Sequence, residues 1–232
     1  MLKKWEDIPE FMKTPEVRSY WEKLHRQRGQ LILKRICDLS MAIILLVLLF
    51  VPMVIVAVMI KFDSEGTVFY RQERITSYGK RFRIHKFRTM VTNADKTGTL
   101  VTVKKDARIT KIGKKLRKYR LDEIPQVIDV VLGNMSFVGT RPEVAKYVER
   151  YEREYLATLL LPAGITSEAS IRYKDEETLL NVGADQVDRV YVEKILPEKM
   201  KWNLKSIEKY SFINDILTML RTILAVLGKQ YR

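Results

Sequence analysis

The chain has 232 residues, which is enough for one globular domain with additional elements. Because 47% of its residues are hydrophobic, an intrinsically disordered chain is excluded. The formal net charge of +14 at pH 7 favours an anionic partner, which can be a nucleic acid, an anionic lipid surface or a phosphorylated substrate.

Scarce cysteine and histidine limit the metal chemistry. Cys37 is the sole cysteine, so an internal disulfide framework and a thiolate metal cluster are excluded. The two histidines, His25 and His85, are too few for a His-rich zinc site. We therefore expect any metal ion to be a hard cation held by oxygen ligands, such as Mg²⁺.

Residues 1–35 mix aromatic, aliphatic and charged side chains. This mixture predicts an N-terminal amphipathic arm that lies at a membrane interface. An arm that packs against the rest of the protein is an equally good interpretation. The apolar positions are Trp5, Ile8, Phe11, Met12, Tyr20, Trp21 and Leu24.

The segment Met41–Ile60 is twenty residues long and carries no charge, which predicts a membrane segment. Basic residues, which mark the cytoplasmic side of a membrane, flank it on both sides, and a simple crossing does not explain this. The flanking residues include Lys34, Arg35, Lys61, Arg71 and Arg74.

Pro52 lies near the middle of this segment, where proline removes a backbone donor and favours a kink. Ser40 and neighbouring carbonyls are expected to help satisfy the disturbed backbone. The sequence thus predicts a re-entrant helix over 36–62 that enters the bilayer, breaks and returns to the same face. A kinked spanning helix stays the alternative.

The remaining residues, 63–232, predict a cytoplasmic catalytic domain that ends in amphipathic helices. "TVFYRQERI" and "KRFRIHKFRTM" are typical of short strands. "KIGKKLRKYR", "EIPQVIDVVLGN" and "EVAKYVERYEREYLATLL" favour helices. The predicted fold class is α+β, mainly α, with one membrane-associated segment.

Asp122 and Glu123 form an acid pair at the end of a basic segment. Between Lys104 and Arg120 there are nine Lys or Arg residues and one acid, Asp106. A solvated salt-bridge patch is the simpler interpretation. Alternatively, one carboxylate attacks a phosphorus atom and the other acts as a base, with nearby cations offsetting the phosphate charge. Arg117, Arg120 and the arginine of "GTRP", Arg141, are candidate cations.

Three stretches resemble the bacterial sugar transferases, the monotopic phosphoglycosyl transferases that act on polyprenyl phosphate. They are "FYRQERITSYGKRFRIHKFRTM", "ARITKIGKKLRKYRLDEIPQVIDVVLGNMSFVGTRPE" and "LPAGITS". The resemblance implies a re-entrant membrane helix at the cytoplasmic face of a bacterial inner membrane. It also implies transfer of a phospho-sugar from a nucleoside diphosphate sugar, usually a UDP-sugar, to undecaprenyl phosphate.

The resemblance also implies roles for individual residues. Asp122 is the expected covalent nucleophile and lies near Mg²⁺, and Glu123 activates the incoming lipid phosphate. Arg117 and Arg141 are expected near phosphate. The stretch containing Lys86 and Arg88 is expected close to the active site, with both residues binding phosphate or substrate.

Other positions match the family less clearly. Asp188 and Tyr191 are expected either in the site or as a helix-surface acid and a core tyrosine. "GITSEASIRYK" departs from the usual pattern at Ser167, and a substrate-binding basic role falls to Arg172 or Lys174. Thr140 replaces a usual proline, so the sugar and the nucleotide stay open.

Two other functions remain alternatives: a membrane-anchored nucleic-acid-binding protein and a membrane phosphatase. The first requires a basic groove with stacking aromatics. In the preferred interpretation, anionic phospholipids are partners, nucleic acid is not, and a homo-oligomer is left open.

Overall fold

A computed structural model describes residues 2–94, 106–173 and 186–226. These residues form mainly helices with small two-stranded sheets, so the predicted fold class is confirmed at that level. The helices are α1 (Pro15–Arg26), α2 (Arg28–Asp63), α3 (Lys111–Lys118), α4 (Gln126–Val131), α5 (Ala145–Val148), α6 (Glu168–Arg172), α7 (Val187–Val190), α8 (Leu196–Glu208) and α9 (Phe212–Val226).

Residues 63–94, 106–173 and 186–226 include three two-stranded sheets. The strands are β1 (Phe69–Tyr70), β2 (Glu73–Ile75), β3 (Arg81–Arg83), β4 (Lys86–Phe87), β5 (Met135–Val138) and β6 (Ala163–Thr166). β1 pairs antiparallel with β4, β2 pairs antiparallel with β3, and β5 pairs parallel with β6. Each of the two predicted strand regions is thus divided into two short strands.

The N-terminal arm packs against the domain. Ile8, Met12 and Leu24 are almost fully buried, in one cluster with Leu160 and Ile207. Pro15 and the Thr14 hydroxyl, which accepts a hydrogen bond from the Val17 amide, begin α1. The packing interpretation of the arm is therefore the right one for its buried apolar residues.

The long helix α2 exposes most of its apolar surface. Its most apolar 18-residue window has a mean hydropathy of 3.4, and only 6% of that window is buried. Phe62 is 89% exposed and Val47 is 73% exposed, which would be unfavourable in water. α2 therefore fits a membrane anchor.

The structure changes two details of the predicted membrane segment. The helix begins at Arg28, before the predicted boundary at 36, so it includes the end of the predicted arm. Helical conformation also continues through Pro52. Pro52 frees the carbonyl of Leu48, which lies about 12 Å from Ser40 along the helix axis. The Ser40 hydroxyl is too far away to satisfy it, so that part of the prediction is wrong.

Both ends of the apolar segment pack on the same domain. Near its start, Ala42 lies in a cluster with Phe82 and Met135. Near its end, Ile60 packs with Phe87 and Leu116. One flank of α2 therefore follows the domain surface, while the opposite flank is exposed.

The predicted helix over "EVAKYVERYEREYLATLL" is wrong. The chain forms α5 and then a 3₁₀ segment, Glu154–Leu160. Tyr147 packs with Tyr191 and Met200, whereas Leu160 packs with the N-terminal arm. Because the two halves bury their apolar residues in different clusters, tertiary packing overrides the helical periodicity.

β5 and β6 approach closely at two glycines. A Cβ atom on Gly164 would lie 2.2 Å from the backbone nitrogen and oxygen of Gly139. This distance requires a backbone shift, so a side chain at 164 would separate β6 from the chain that follows β5.

We expect Gly164→Ala to lower the free energy of unfolding by about 2 kcal/mol or more, because overpacking against backbone cannot relax locally. Thermal unfolding of the purified protein in detergent measures this. Gly29→Ala is the matched control, since nothing lies within 4 Å of a Cβ atom at that helical position. Equal stability of the two variants would contradict the close approach.

Candidate active site

The acid pair lies in a short 3₁₀ turn, Leu121–Glu123, directly after α3. Thr110 begins α3 by accepting a hydrogen bond from the Gly113 amide. Asp63, at the end of α2, accepts a hydrogen bond from the Ile112 amide at 3.0 Å. Arg120 adopts a left-handed conformation, with φ of 56°, and redirects the chain into the turn. The end of the membrane helix is thus connected through α3 to the acid pair.

Glu123 is held by two cations. Its Oε1 atom accepts hydrogen bonds from Arg141 Nη2 at 2.5 Å and from Lys86 Nζ at 3.0 Å. Arg141 Nη1 lies 3.4 Å from Glu123 Oε2, so the arginine contacts both carboxylate oxygens. The sequence placed these three residues in one site, and the structure brings them together.

Asp122 is arranged differently from its neighbour. It is only 9% exposed, and its Oδ1 atom is buried with no hydrogen-bond partner among the described residues. A buried carboxylate oxygen without a donor is costly unless a ligand supplies one. Asp122 is therefore the carboxylate of the pair that is available for chemistry.

The pKa values of the two acids move in opposite directions. Burial and the nearby charge of Glu123 raise the pKa of Asp122, although Lys86, Arg117 and Arg120 oppose this effect. Burial also favours a higher pKa for Glu123, but Arg141 and Lys86 outweigh it and hold that pKa well below its usual value. Divergent pKa values in adjacent acids are typical of carboxylates with different roles.

Lys86 reaches the acid pair from the edge of the β1–β4 sheet. Its neighbour His85 is held by Asp129, which accepts from the His85 amide at 2.8 Å and contacts the imidazole Nδ1 at 2.8 Å. Asp129 is fully buried on α4. These contacts with Asp129 give His85 a structural position beside Lys86.

Arg88 turns away from the acid pair towards the end of α2. Its guanidinium donates to the carbonyls of Ser64 at 2.6 Å and Glu65 at 2.5 Å. The Ile60 carbonyl lies 3.5 Å from Nη2. Carbonyls at a helix C-terminus lack partners within the helix, so Arg88 caps α2. Its position does not support the predicted phosphate contact.

Arg172 lies on the α6–α8 side of the domain. Its Nε atom donates to Glu168 at 3.1 Å, and its guanidinium lies 3.8 Å from the centre of the Trp202 ring. None of these contacts reaches Asp122 or Glu123. Lys174, the other candidate for a basic role, lies outside the described residues.

Asp188 and Tyr191 contact different residues, and neither of them contacts the acid pair through these partners. Asp188 pairs with the exposed Lys146 and accepts a hydrogen bond from the Tyr147 hydroxyl at 2.6 Å. Tyr191 is buried and donates to Glu143 at 2.5 Å. The positions fit a helix-surface acid and a core tyrosine.

Sequence reasoning missed Glu143, Lys199 and Arg74. Glu143 and Lys199 are buried, and Arg74 donates to the Pro142 carbonyl at 3.1 Å. Glu143 follows "GTRP" directly, which is a signal that could have drawn attention to it. Lys199 lies far along the chain, and no local pattern indicates its burial.

The donor set fits a hard cation with few protein ligands. No group of three His, Cys, Asp or Glu residues suited to a metal occurs in the described part of the chain. Mg²⁺ typically needs only one or two carboxylates, with substrate phosphates and waters completing its shell. The unpartnered oxygen of Asp122 fits such an ion.

A buried acid pair among cations, close to an exposed apolar helix, defines a membrane-associated protein whose site suits anionic ligands. The family described as "Bacterial sugar transferase" matches residues 29–229, and the chain belongs to this family. The resemblance found in the sequence motifs is therefore confirmed.

Curated relatives share the same region. A UDP-N-acetylgalactosamine-undecaprenyl-phosphate N-acetylgalactosaminephosphotransferase of Aeromonas hydrophila is 32% identical over 198 residues, covering 84% of this chain and 44% of the relative. A UDP-glucose:undecaprenyl-phosphate glucose-1-phosphate transferase of Xanthomonas campestris is 32% identical, covering 86% and 40%. The corresponding Escherichia coli transferase is 33% identical, covering 83% and 39%. The chain spans less than half the length of these relatives.

We expect Arg88→Lys to destabilise the protein by about 1–3 kcal/mol, because one ammonium cannot replace the forked contacts to the helix carbonyls. Thermal unfolding measures this, with Arg83→Lys as the control, since Arg83 is exposed on β3. Unchanged stability of Arg88→Lys, together with weaker binding of UDP, would instead indicate a phosphate-binding arginine.

Proposed function

We propose that this protein transfers a phospho-sugar from a nucleoside diphosphate sugar, a UDP-sugar, to undecaprenyl phosphate through a covalent aspartyl intermediate. One observation carries the proposal. The buried Asp122 oxygen lacks a partner among the described residues, while its neighbour Glu123 is held by Arg141 and Lys86. The names of the relatives, which include UDP-sugars and undecaprenyl phosphate, support the substrate classes.

In the first step, an Asp122 carboxylate oxygen attacks the phosphorus atom that bears the sugar. The bond between this phosphorus and the bridging oxygen breaks, and the nucleoside monophosphate leaves with that bond's electron pair. Burial makes Asp122 a stronger nucleophile than a solvated carboxylate, since its charged form is less well stabilised.

In the second step, an oxygen of the lipid phosphate attacks the same phosphorus atom. The bond to Asp122 breaks, which restores the carboxylate and leaves a lipid-linked sugar diphosphate. Glu123 accepts the proton when the incoming lipid phosphate is protonated. Splitting the reaction in this way gives ping-pong kinetics.

Before substrate binds, Glu123 also forms ion pairs with two cations of the site. Its contacts with Arg141 and Lys86 keep two positive charges at the site while compensating their burial. A substrate phosphate competes for these donors. As they turn towards phosphate, Glu123 loses compensation and becomes a better base.

Mg²⁺ is the proposed cofactor, with Asp122 as its protein ligand. When bound, the ion supplies positive charge that reduces repulsion between the carboxylate and the phosphates. Arg117 and Arg120, whose charges act on Asp122, add to the same effect.

We further propose a re-entrant course for α2 at the cytoplasmic face of the bacterial inner membrane. The contacts of both Ala42 and Ile60 with one domain support this, because a spanning helix would carry one of them away from the domain. α9 adds an exposed apolar row beside the start of α2, where Lys34 pairs with Asp215 at 2.8 Å. Basic residues near this surface favour anionic phospholipids.

The covalent step predicts that a UDP-sugar without lipid leaves a phospho-sugar on wild-type protein. Asp122→Asn should abolish both this adduct and turnover, because the amide lacks the nucleophilic oxygen anion. Glu123→Gln keeps the nucleophile, so it should form the adduct but pass it to lipid slowly. Intact-mass spectrometry after incubation with individual UDP-sugars measures the adduct.

A product assay with undecaprenyl phosphate serves as the control for activity. Lipid-linked sugar diphosphate with released nucleoside monophosphate supports the proposal. Free phosphate would indicate a phosphatase, and no turnover with any UDP-sugar would contradict a transferase. Turnover without an adduct, with kinetics that require both substrates bound together, would contradict the covalent mechanism.

The re-entrant course predicts that both ends of α2 face the cytoplasm. We expect Gly29→Cys and Glu65→Cys, each in a Cys37→Ser background, to react with a membrane-impermeant maleimide in inside-out vesicles. Intact spheroplasts should protect both sites, and permeabilised cells provide the control for reactivity. Labelling of one site in spheroplasts would establish a spanning helix instead.

A further inference from the structure

A buried polar cluster lies next to the loop that carries Arg141. Its residues take no part in the proposed reaction steps. Glu143 accepts a hydrogen bond from the Tyr191 hydroxyl at 2.5 Å. Lys199 donates to the same hydroxyl at 2.9 Å and lies 3.4 Å from the Glu143 carboxylate. Glu143 and Lys199 are only 7% and 5% exposed. Arg74 contributes a further positive charge to the environment of Glu143.

The same region fixes the backbone on both sides of Arg141. The Thr140 carbonyl accepts from the Gly164 amide at 2.8 Å, and the Pro142 carbonyl accepts from Arg74 at 3.1 Å. The Glu143 carbonyl accepts from the Ile75 amide at 2.9 Å. The path of the loop is thus determined by groups from distant parts of the chain.

Stability alone is a weak reason for such a cluster. Removing a carboxylate and an ammonium from water is costly, and well-packed apolar residues often stabilise a core as well or better. Glu143, a member of this cluster, is two residues after Arg141, whose guanidinium binds phosphate in the proposed function. Small displacements of a group that orients a reacting substrate reduce the rate strongly.

We propose that Lys199 and Tyr191 are positioning residues that hold Glu143 and thereby place the Arg141 guanidinium for substrate phosphate. They connect α8 and the π-helical turn Tyr191–Ile195 to the loop after β5. The proposal rests on the proposed function, since Arg141 matters only if a phosphate binds there. Neither Lys199 nor Tyr191 needs to touch the substrate.

A double-mutant cycle tests the connection to Arg141. In full-length protein with the Arg141 side chain intact, Lys199→Met should lower kcat/KM by about tenfold. In an Arg141→Ala background, the same change should have less than about a twofold effect, because the group it positions is already absent. Equal losses in both backgrounds would overturn the proposal in favour of a general structural role.

Lys201→Met is the matched control on the same helix. Lys201 is exposed and pairs with Glu198, so its loss should change kcat/KM equally little in both backgrounds. If Lys199→Met does not fold, Tyr191→Phe takes its place in the cycle. That change removes only the hydroxyl and keeps the ring that packs 4.6 Å from the Tyr147 ring.

Binding measurements separate this proposal from the proposed function. Calorimetry with UDP as the probe should show the same non-additive loss of affinity in the cycle. One outcome is a wild type that binds UDP without any transfer of a sugar. If the two substitutions then have non-additive effects on UDP affinity, the transferase proposal fails and the positioning proposal stands. If transfer occurs while both rate and binding losses are additive, the positioning proposal fails alone.

Discussion

The contact between Glu123 and its two cations joins the separate parts of the domain. Glu123 belongs to the turn after α3, Lys86 to β4, and Arg141 to the loop after β5. Each of these charges is largely removed from water, so the loss of one partner would leave another buried charge uncompensated. The β1–β4 sheet, the loop after β5 and α3 must therefore all be in their final positions before the three charges are paired.

The membrane helix α2 contacts the same parts of the domain that hold the acid pair. Asp63 at its end accepts a hydrogen bond from the start of α3, and Arg88, two residues after Lys86, donates to the Ser64 carbonyl directly after α2. Buried residues on one flank, such as Ala42 and Ile60, attach it to the domain. The end of α2 is thus linked to the acid pair through α3 and through the strand that carries Lys86. In the proposed reaction between a soluble donor and a lipid phosphate, this connection would hold the acid pair close to the membrane helix.

Local sequence signals predicted those features that depend on local physics. An uncharged run such as Met41–Ile60 predicts a membrane segment from its length alone. The Asp122–Glu123 pair in a basic segment suggests carboxylate chemistry on a phosphate. The predicted strand regions were therefore correct, and Lys86 and Arg141 lie at the acid pair, whereas their contact with phosphate stays a prediction. The division of the predicted helix after Val148 was missed, because it depends on which distant residues bury Tyr147 and Leu160. Arg88 was assigned to phosphate for a similar reason. Its partners are backbone carbonyls in the last turn of α2 and directly after it, which no pattern in "KFRTM" reveals.

The two acids of this turn lie in different electrostatic environments, which shift their pKa values in opposite directions. A carboxylate that is fully paired is stable but unreactive, whereas an unpaired one is reactive but costly to bury. The turn places Glu123 against Arg141 and Lys86, and this pairing lets Asp122 stay buried beside a second negative charge. The same cations are the ones that a substrate phosphate would bind. The stability of the fold and the proposed phosphate binding therefore depend on the same donors, so strengthening the pairing of Glu123 would stabilise the fold and would weaken the proposed substrate binding.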